Sequence, residues 1–228
     1  MAYGQAEEPR GMQRFLKYWS LFVIGGFLLF TMGLIVSGAA GFKEVQVNDV
    51  AVKVNYITGT KEVILTPGYK IFFPIISEIH TFDRSPNEFI MAGEVDQDSN
   101  HVHKLTVRAN DGSNFWFEAL KIHYQIIPEK IDVVVDDSGQ GDAFKYSWVK
   151  SYARSVLRDE FGRFNAEDIA NPTNYGKATM EAKRRLNEQL NPHGIEIIQI
   201  VTPKPKFVEA FEKAIENRKL ANQEVQKL

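Results

Sequence analysis

From Tyr18 to Phe42 the sequence carries no charged residue, and its centre reads Leu21-Phe22-Val23-Ile24-Gly25-Gly26-Phe27-Leu28-Leu29-Phe30. A helix that crosses the hydrocarbon core of a bilayer needs about 20 apolar residues, and this run supplies them with no proline to bend it. The expectation is a single transmembrane helix over 18–42, anchored by Trp19, Leu21, Phe22, Ile24, Phe27, Leu28, Leu29, Phe30, Leu34 and Ile35. Tyr18 and Trp19 stand at one end, where interfacial aromatics are favoured. Arg10, Arg14 and Lys17 precede the run, whereas only Lys43 and Lys53 follow closely. That bias assigns 1–17 to the cytoplasm and everything after Phe42 to the outer, periplasmic-type side. Two other readings compete. Ser37-Gly38-Ala39 fits the small-x-small cleavage site of a secretory signal, for which the run is long. A buried soluble helix would have to hide apolar side chains all round.

The rest of the 228 residues has room for one sizeable core or two small domains. A net charge of −2 with no large basic block argues against nucleic acid as a partner, because phosphate binding draws on clustered Lys and Arg. The absence of cysteine excludes a disulfide framework, Cys-ligated zinc and a thiol nucleophile.

Beyond the apolar run the pattern is first β. Val45 and Val47 alternate, then Val50, Val52 and Val54 alternate on the opposite parity, so Asn48-Asp49 marks a turn or bulge. Thr58-Gly59-Thr60 and Pro67-Gly68 are further turns, and Pro74 stops the strand Tyr69 to Phe73. Lys104 to Ala109 and Phe115 to Ile127 read as a hairpin closed by Asn110-Asp111-Gly112-Ser113, with Trp116, Leu120, Ile122, Tyr124 and Ile126 on one face.

After Asp142 the period becomes helical. Trp148, Val149, Tyr152, Ala153, Val156, Leu157 and Phe161 form one apolar stripe, ended by Gly162 and expected to face the core. Asn165 to Asp168 opens a short capped helix, and Tyr175, Ala178, Ala182, Leu186 and Leu190 mark a longer one, stopped by Pro192 and Gly194. Ile195 to Val201 then reads as a buried strand. Over 206–228, Phe207, Phe211, Ala214, Arg218, Ala221, Val225 and Leu228 recur at spacings of 4 and 3, the seam of a coiled-coil helix with one charged interruption.

Taken in order, these segments resemble the stomatin/prohibitin/flotillin (SPFH, Band 7) superfamily. The stretch Val63-Ile64-Leu65-Thr66-Pro67-Gly68-Tyr69-Lys70-Ile71-Phe72-Phe73-Pro74 carries the resemblance first. Thr81-Phe82-Asp83-Arg84, the hairpin from Thr106 to Gly112, Ala153-Arg154-Ser155-Val156-Leu157-Arg158-Asp159 and Asn191 to Val201 follow it. The resemblance implies an α+β fold: one N-terminal transmembrane helix, a small antiparallel-rich SPFH-like domain over 43–205 and the start of a coiled coil. It implies a scaffold without catalysis or cofactor, which oligomerises into a ring or cage, organises a membrane microdomain and regulates a membrane protease. Its partners would be other copies, membrane lipids and that protease, with Phe207, Phe211, Ala214, Val225 and Leu228 as oligomerisation contacts. A stomatin-like topology, with a re-entrant apolar segment and a cytoplasmic domain, is the alternative placement.

One stretch departs from the family pattern, Ala92-Gly93-Glu94-Val95-Asp96-Gln97-Asp98-Ser99-Asn100-His101-Val102-His103. It supports a rival reading, a monomeric membrane-tethered binding or adaptor module that recognises partners through this insertion. It also holds the one candidate metal set, Glu94, Asp96, Asp98, His101 and His103, weighed against a solvated acidic loop. The acidic segment from Asp136 to Asp142 lacks EF-hand spacing. No Gly-rich phosphate loop, nucleophile elbow or His-Glu-x-x-His is present.

Overall fold

The computed structural model describes residues 10–36, 40–209, 211–214 and 217. The chain opens with helix α1 (Arg10–Val36) and then builds a first β body from β1 (Gly41–Val45), β2 (Asp49–Asn55), β3 (Lys61–Ile64), β4 (Gly68–Phe72) and β5 (Ser77–Asp83).

The charge-free run does not form one helix. α1 starts early enough to include Arg10, Arg14 and Lys17, and it ends at Val36. Gly41 and Phe42 belong instead to β1. No helix among the described residues is long and apolar enough to cross a membrane. The expected fold class, with its single transmembrane helix, is corrected on this point, and the single-pass placement with the main domain on the outer side falls with it. The physical reason lies in where the helix sits on the sequence: its first third is charged, and the last part of the apolar run is spent on a strand. Trp19, Leu21, Phe22, Ile24, Phe27, Leu28, Leu29 and Phe30 are exposed on α1. The side chains of Leu34 and Ile35 lie outside the described residues.

In the first β body, β2 is central, with β3 and β5 antiparallel on its two sides, while β1 pairs with β4 in a separate ribbon. The parity switch after Val47 is a turn, closed by Asp49 N–H donating to the carbonyl of Gln46 at 3.1 Å. Val50 and Val52 point into the core and Val47 is exposed.

The second body holds β6 (Asn87–Ala92), β7 (His101–Val102), β8 (Leu105–Arg108), β9 (Asn114–Phe117) and β10 (Ala119–Ile126), followed by α2 (Ile131–Ser138). The expected long strand after the hairpin is two strands. Phe115 and Phe117 are buried on β9, Glu118 breaks the run, and from Leu120 onward the even-numbered residues are buried. Trp116 is therefore on the opposite face from Leu120. β9 lies between β8 and a later short strand, and β10 belongs to a different sheet.

A single π-helical turn, Lys145–Lys150, leads into α3 (Ser151–Gly162). Val149, Ala153, Val156, Leu157 and Phe161 are buried, as the stripe requires. α4 (Ala166–Ile169) is capped by the Asn165 side chain accepting from Asp168 N–H at 2.7 Å. α5 (Pro172–Leu190) is capped by Asn171 and followed by β11 (Ile195–Val201) and β12 (Lys206–Phe207). The four-stranded sheet runs β11-β10-β6-β7 and the other β12-β9-β8, with α3 and α5 packed together across them. α2 touches β2 and β3, and Asp136 of α2 pairs with Lys61 of β3, so this helix ties the first body to the second.

Candidate functional site

The first β body buries one face and leaves a large apolar surface at one end. In β1 and β4, Phe42 stands opposite Ile71 and Glu44 opposite Tyr69, and opposed residues share a face. Phe42, Tyr69 and Ile71 on that face are exposed, while Val45 on the other face is buried and Phe72 packs against the small core of Val45, Ala51 and Ile79.

Two turns extend this surface. Asn55 Oδ1 accepts the backbone N–H groups of Ile57 and Thr58 at 2.9 and 3.1 Å, which folds a tight turn that lifts Tyr56 and Ile57 outward. The second turn follows β4. The carbonyl of Phe73 accepts from Ile76 and Ser77 N–H at 2.9 and 2.8 Å, around Pro74. Tyr56 N–H donates to the carbonyl of Ile76 at 2.8 Å and holds the two turns side by side. Ile57 is 73% exposed and Ile75 86% exposed, so neither turn hides its apolar residues. Isolated exposed apolar residues are ordinary, whereas several exposed on one ribbon and its neighbouring turns point to an interaction surface. The chain enters the body from α1 at Gly41, directly opposite Phe72. Helix α1 and the 73–76 turn therefore meet the body at the same end.

Beside this end, a groove of about 660 Å³ is lined by Val63, Leu65, Tyr69 and Ile71, with Lys53, Glu62 and Lys70 among its lining residues. Lys70 Nζ donates to Thr66 Oγ1 at 2.9 Å. The Tyr56 hydroxyl donates to Glu78, and that bond raises its pKa above the ordinary tyrosine value.

The candidate metal set forms a structural lock. His103 Nδ1 lies 2.6 Å from Asp96 Oδ1 and its Nε2 lies 2.6 Å from Arg154 Nη2. A guanidinium only donates, so Nε2 accepts and the ring proton sits on Nδ1. Neither nitrogen is left for a metal. His101 joins the loop through its backbone, its N–H donating to Asp98 Oδ1 at 2.8 Å. Among the described residues no group of three or more His, Asp or Glu side chains could hold a metal ion. The acidic segment is also engaged: Asp136 with Lys61, Asp137 with His193 at 2.5 Å and Asp142 with Lys145 at 2.9 Å.

The candidate oligomerisation residues separate. Phe207 lies in β12, 6% exposed, with its ring 5.7 Å from that of Phe115 and 5.6 Å from that of Phe211. Its apolar surface is used inside the domain. Phe211 is half-buried on Phe207, and Ala214 is helical and exposed. Val225 and Leu228 lie outside the described residues.

The SPFH domain / Band 7 family profile matches residues 43–228. The chain belongs to this family. No curated protein matches it in a direct comparison. SPFH proteins are generally non-enzymatic scaffolds that self-associate and interact with membranes. In this SPFH chain the matched region starts one residue after Phe42, at the apolar end of the first β body. The sequence reading passed over that end, although two isoleucines immediately after Pro74, in a turn where polar residues are usual, were the signal for it.

Proposed function

We propose that this chain is a scaffold subunit that sets the apolar end of its first β body against a lipid surface and associates side by side with further copies. Such an array would organise a membrane patch and restrain a membrane protease held within it. The observation that carries the reading is the set of exposed apolar residues Phe42, Tyr56, Ile57, Tyr69, Ile71 and Ile75 on the β1–β4 ribbon and the turns beside it. Lysines 53 and 70 in the adjoining groove suit the phosphates of anionic lipids. Side-by-side association is supported by the ribbon of β1 and β4, each with an edge unpaired among the described residues, because open edges favour pairing with another chain. It is supported also by the exposed Ala214 and by the spacing that continues to Val225 and Leu228 in the sequence.

The test is flotation of the protein with anionic vesicles, followed by mass photometry of the bound fraction. An Ile57→Asp/Ile75→Asp variant, altered only at exposed turn positions, should remain folded and lose most vesicle capture. Particles much larger than a dimer should form with the unaltered chain. Equal flotation of both proteins, or only monomers and dimers at all concentrations, would overturn the reading.

A further inference from the structure

The insertion and the strand β8 that follows it lie along α3 and the π-helical turn before it, and together they grip this helical segment at three successive turns. Asp96 Oδ2 accepts from Lys150 Nζ at 2.5 Å. The carbonyl and Nε2 of His103 both accept from Arg154, at 2.8 and 2.6 Å. The carbonyl of Thr106 accepts from Arg158 Nε at 3.3 Å. Lys150, Arg154 and Arg158 recur every four residues, so they fall on one side of the helix.

Among the described residues these three cations have one carboxylate partner, Asp96, which pairs with Lys150. Arg154 is buried, and its pKa is pushed down first by that burial and then by the like charge of Arg158, against the pull of Asp96. Arg158 spends only its Nε on Thr106. Its two terminal nitrogens have no partner among the described residues, and neither does the hydroxyl of Ser155. The space beside them is a groove of about 440 Å³ lined, among the described residues, by Lys150, Ser151, Arg154, Ser155 and Arg158. No carboxylate and no apolar side chain lines it. Its volume falls in the range of small-ligand sites, about 300–1,000 Å³.

We propose that this groove is an oxyanion site that takes a phosphate group, with the open fork of Arg158 and the Ser155 hydroxyl as its direct donors. A planar guanidinium fork matches two phosphate oxygens at once, and a hydroxyl supplies a third donor beside it. Lys150 and Arg154, held from behind by the insertion, provide fixed positive charge. The site is separate from the apolar end of the first body, so it stands whether or not that end meets lipid.

The same phosphate chemistry arrives on a soluble ester or on a lipid headgroup, and two arms separate the sources. Inorganic phosphate is titrated into the 228-residue chain by calorimetry at fixed ionic strength. In parallel, vesicles containing phosphatidic acid are compared with phosphatidylcholine vesicles by flotation. Saturable phosphate binding, weakened about tenfold or more in Arg158→Gln, supports the site with a soluble ligand. Arg158→Lys should fall between the two. Loss of phosphatidic-acid capture in Arg158→Gln without binding of free phosphate supports it with a headgroup. Unchanged behaviour of Arg158→Gln in both arms overturns the proposal. An equal loss in Lys177→Gln, an exposed cation of α5 away from the groove, overturns it too, since the effect would then be general charge.

Discussion

Asp96 accepts the backbone N–H of His103 at 2.9 Å and faces its Nδ1 at 2.6 Å, so one carboxylate closes the loop that carries it. The His103 backbone, Lys150 and the His103 ring, in that order, hold the Asp96 pKa well below the usual carboxylate range. A depressed folded-state pKa contributes stability that is present above the unfolded value, about 3.9, and is lost as pH falls through the folded one. The amide of His103 should therefore be protected from hydrogen exchange at neutral pH and lose protection progressively below about pH 4. In Asp96→Asn the protection should be reduced at neutral pH and nearly flat on acidification. Indistinguishable exchange profiles for the two proteins would remove Asp96 as the clasp.

Glu160 offers a different kind of ion pair. It is 2% exposed and sits against Arg185, with Arg163 Nη2 at 3.2 Å. This contact joins α3 to α5. Removing one partner leaves a buried carboxylate short of compensation, a change that ordinarily costs about 3–5 kcal/mol. Arg163 remains to share the charge and Arg185 is partly exposed, so Arg185→Met should destabilise by about 2 kcal/mol in urea unfolding. Adding Glu160→Gln to that variant should restore part of the loss.

The C-terminal aromatics pack against the domain. Phe207 packs on Phe115, so Phe207→Ala should lower stability by about 3 kcal/mol whatever the assembly state. Phe211→Glu should also lower stability, since its ring rests on Phe207. Ala214 is exposed on its helix, so Ala214→Asp should leave the melting temperature unchanged and reduce particle size in mass photometry. Equal melting temperatures for the unaltered protein and Phe207→Ala would contradict the packing described here.

What the sequence made legible follows from how local each signal is. The cap at Asn165 and the turn between Val47 and Asp49 are decided within a few residues, and they form as read. The sheet exchange at Glu118 was not legible, because whether a strand continues or changes partners depends here on β6 and β11, far away in sequence. The packing of Phe207 was out of sight for the same reason: spacing alone does not show that its ring rests on Phe115, some ninety positions earlier. The apolar run misled through its boundary. Absence of charge marks a stretch that tolerates an apolar setting, and it does not fix where the helix starts or that a strand claims its last residues. The cationic groove was out of reach, because the regular spacing of Lys150, Arg154 and Arg158 becomes a wall only when the insertion folds against it.

Gly194 sits at a junction where geometry admits one residue type. Its φ of 75° is left-handed, and a Cβ there would meet the Lys130 carbonyl and Val134 Cγ2, both at 2.7 Å. The same turn accepts Ile127 N–H through the Gly194 carbonyl at 2.8 Å and Lys130 Nζ through that of Asn191 at 2.9 Å. His193 beside it stacks on Trp148, ring centroids 3.6 Å apart, and reaches Asp137. A methyl group at 194 must push α2 away, and α2 carries the Asp136 that holds Lys61 of the first body. Gly194→Ala should therefore destabilise by about 2–3 kcal/mol, above the roughly 1 kcal/mol set by backbone conformation alone. It should also raise hydrogen exchange in β3, where a purely local defect would not. Gly176→Ala is the contrasting case. It lies inside α5 with nothing within 4 Å of its would-be Cβ, so the change should stabilise the chain by about 0.5–1 kcal/mol through helix propensity. Opposite signs for the two substitutions in one urea series are the expected result, and a neutral Gly194→Ala would mean that the turn yields and that α2 is not fixed by it.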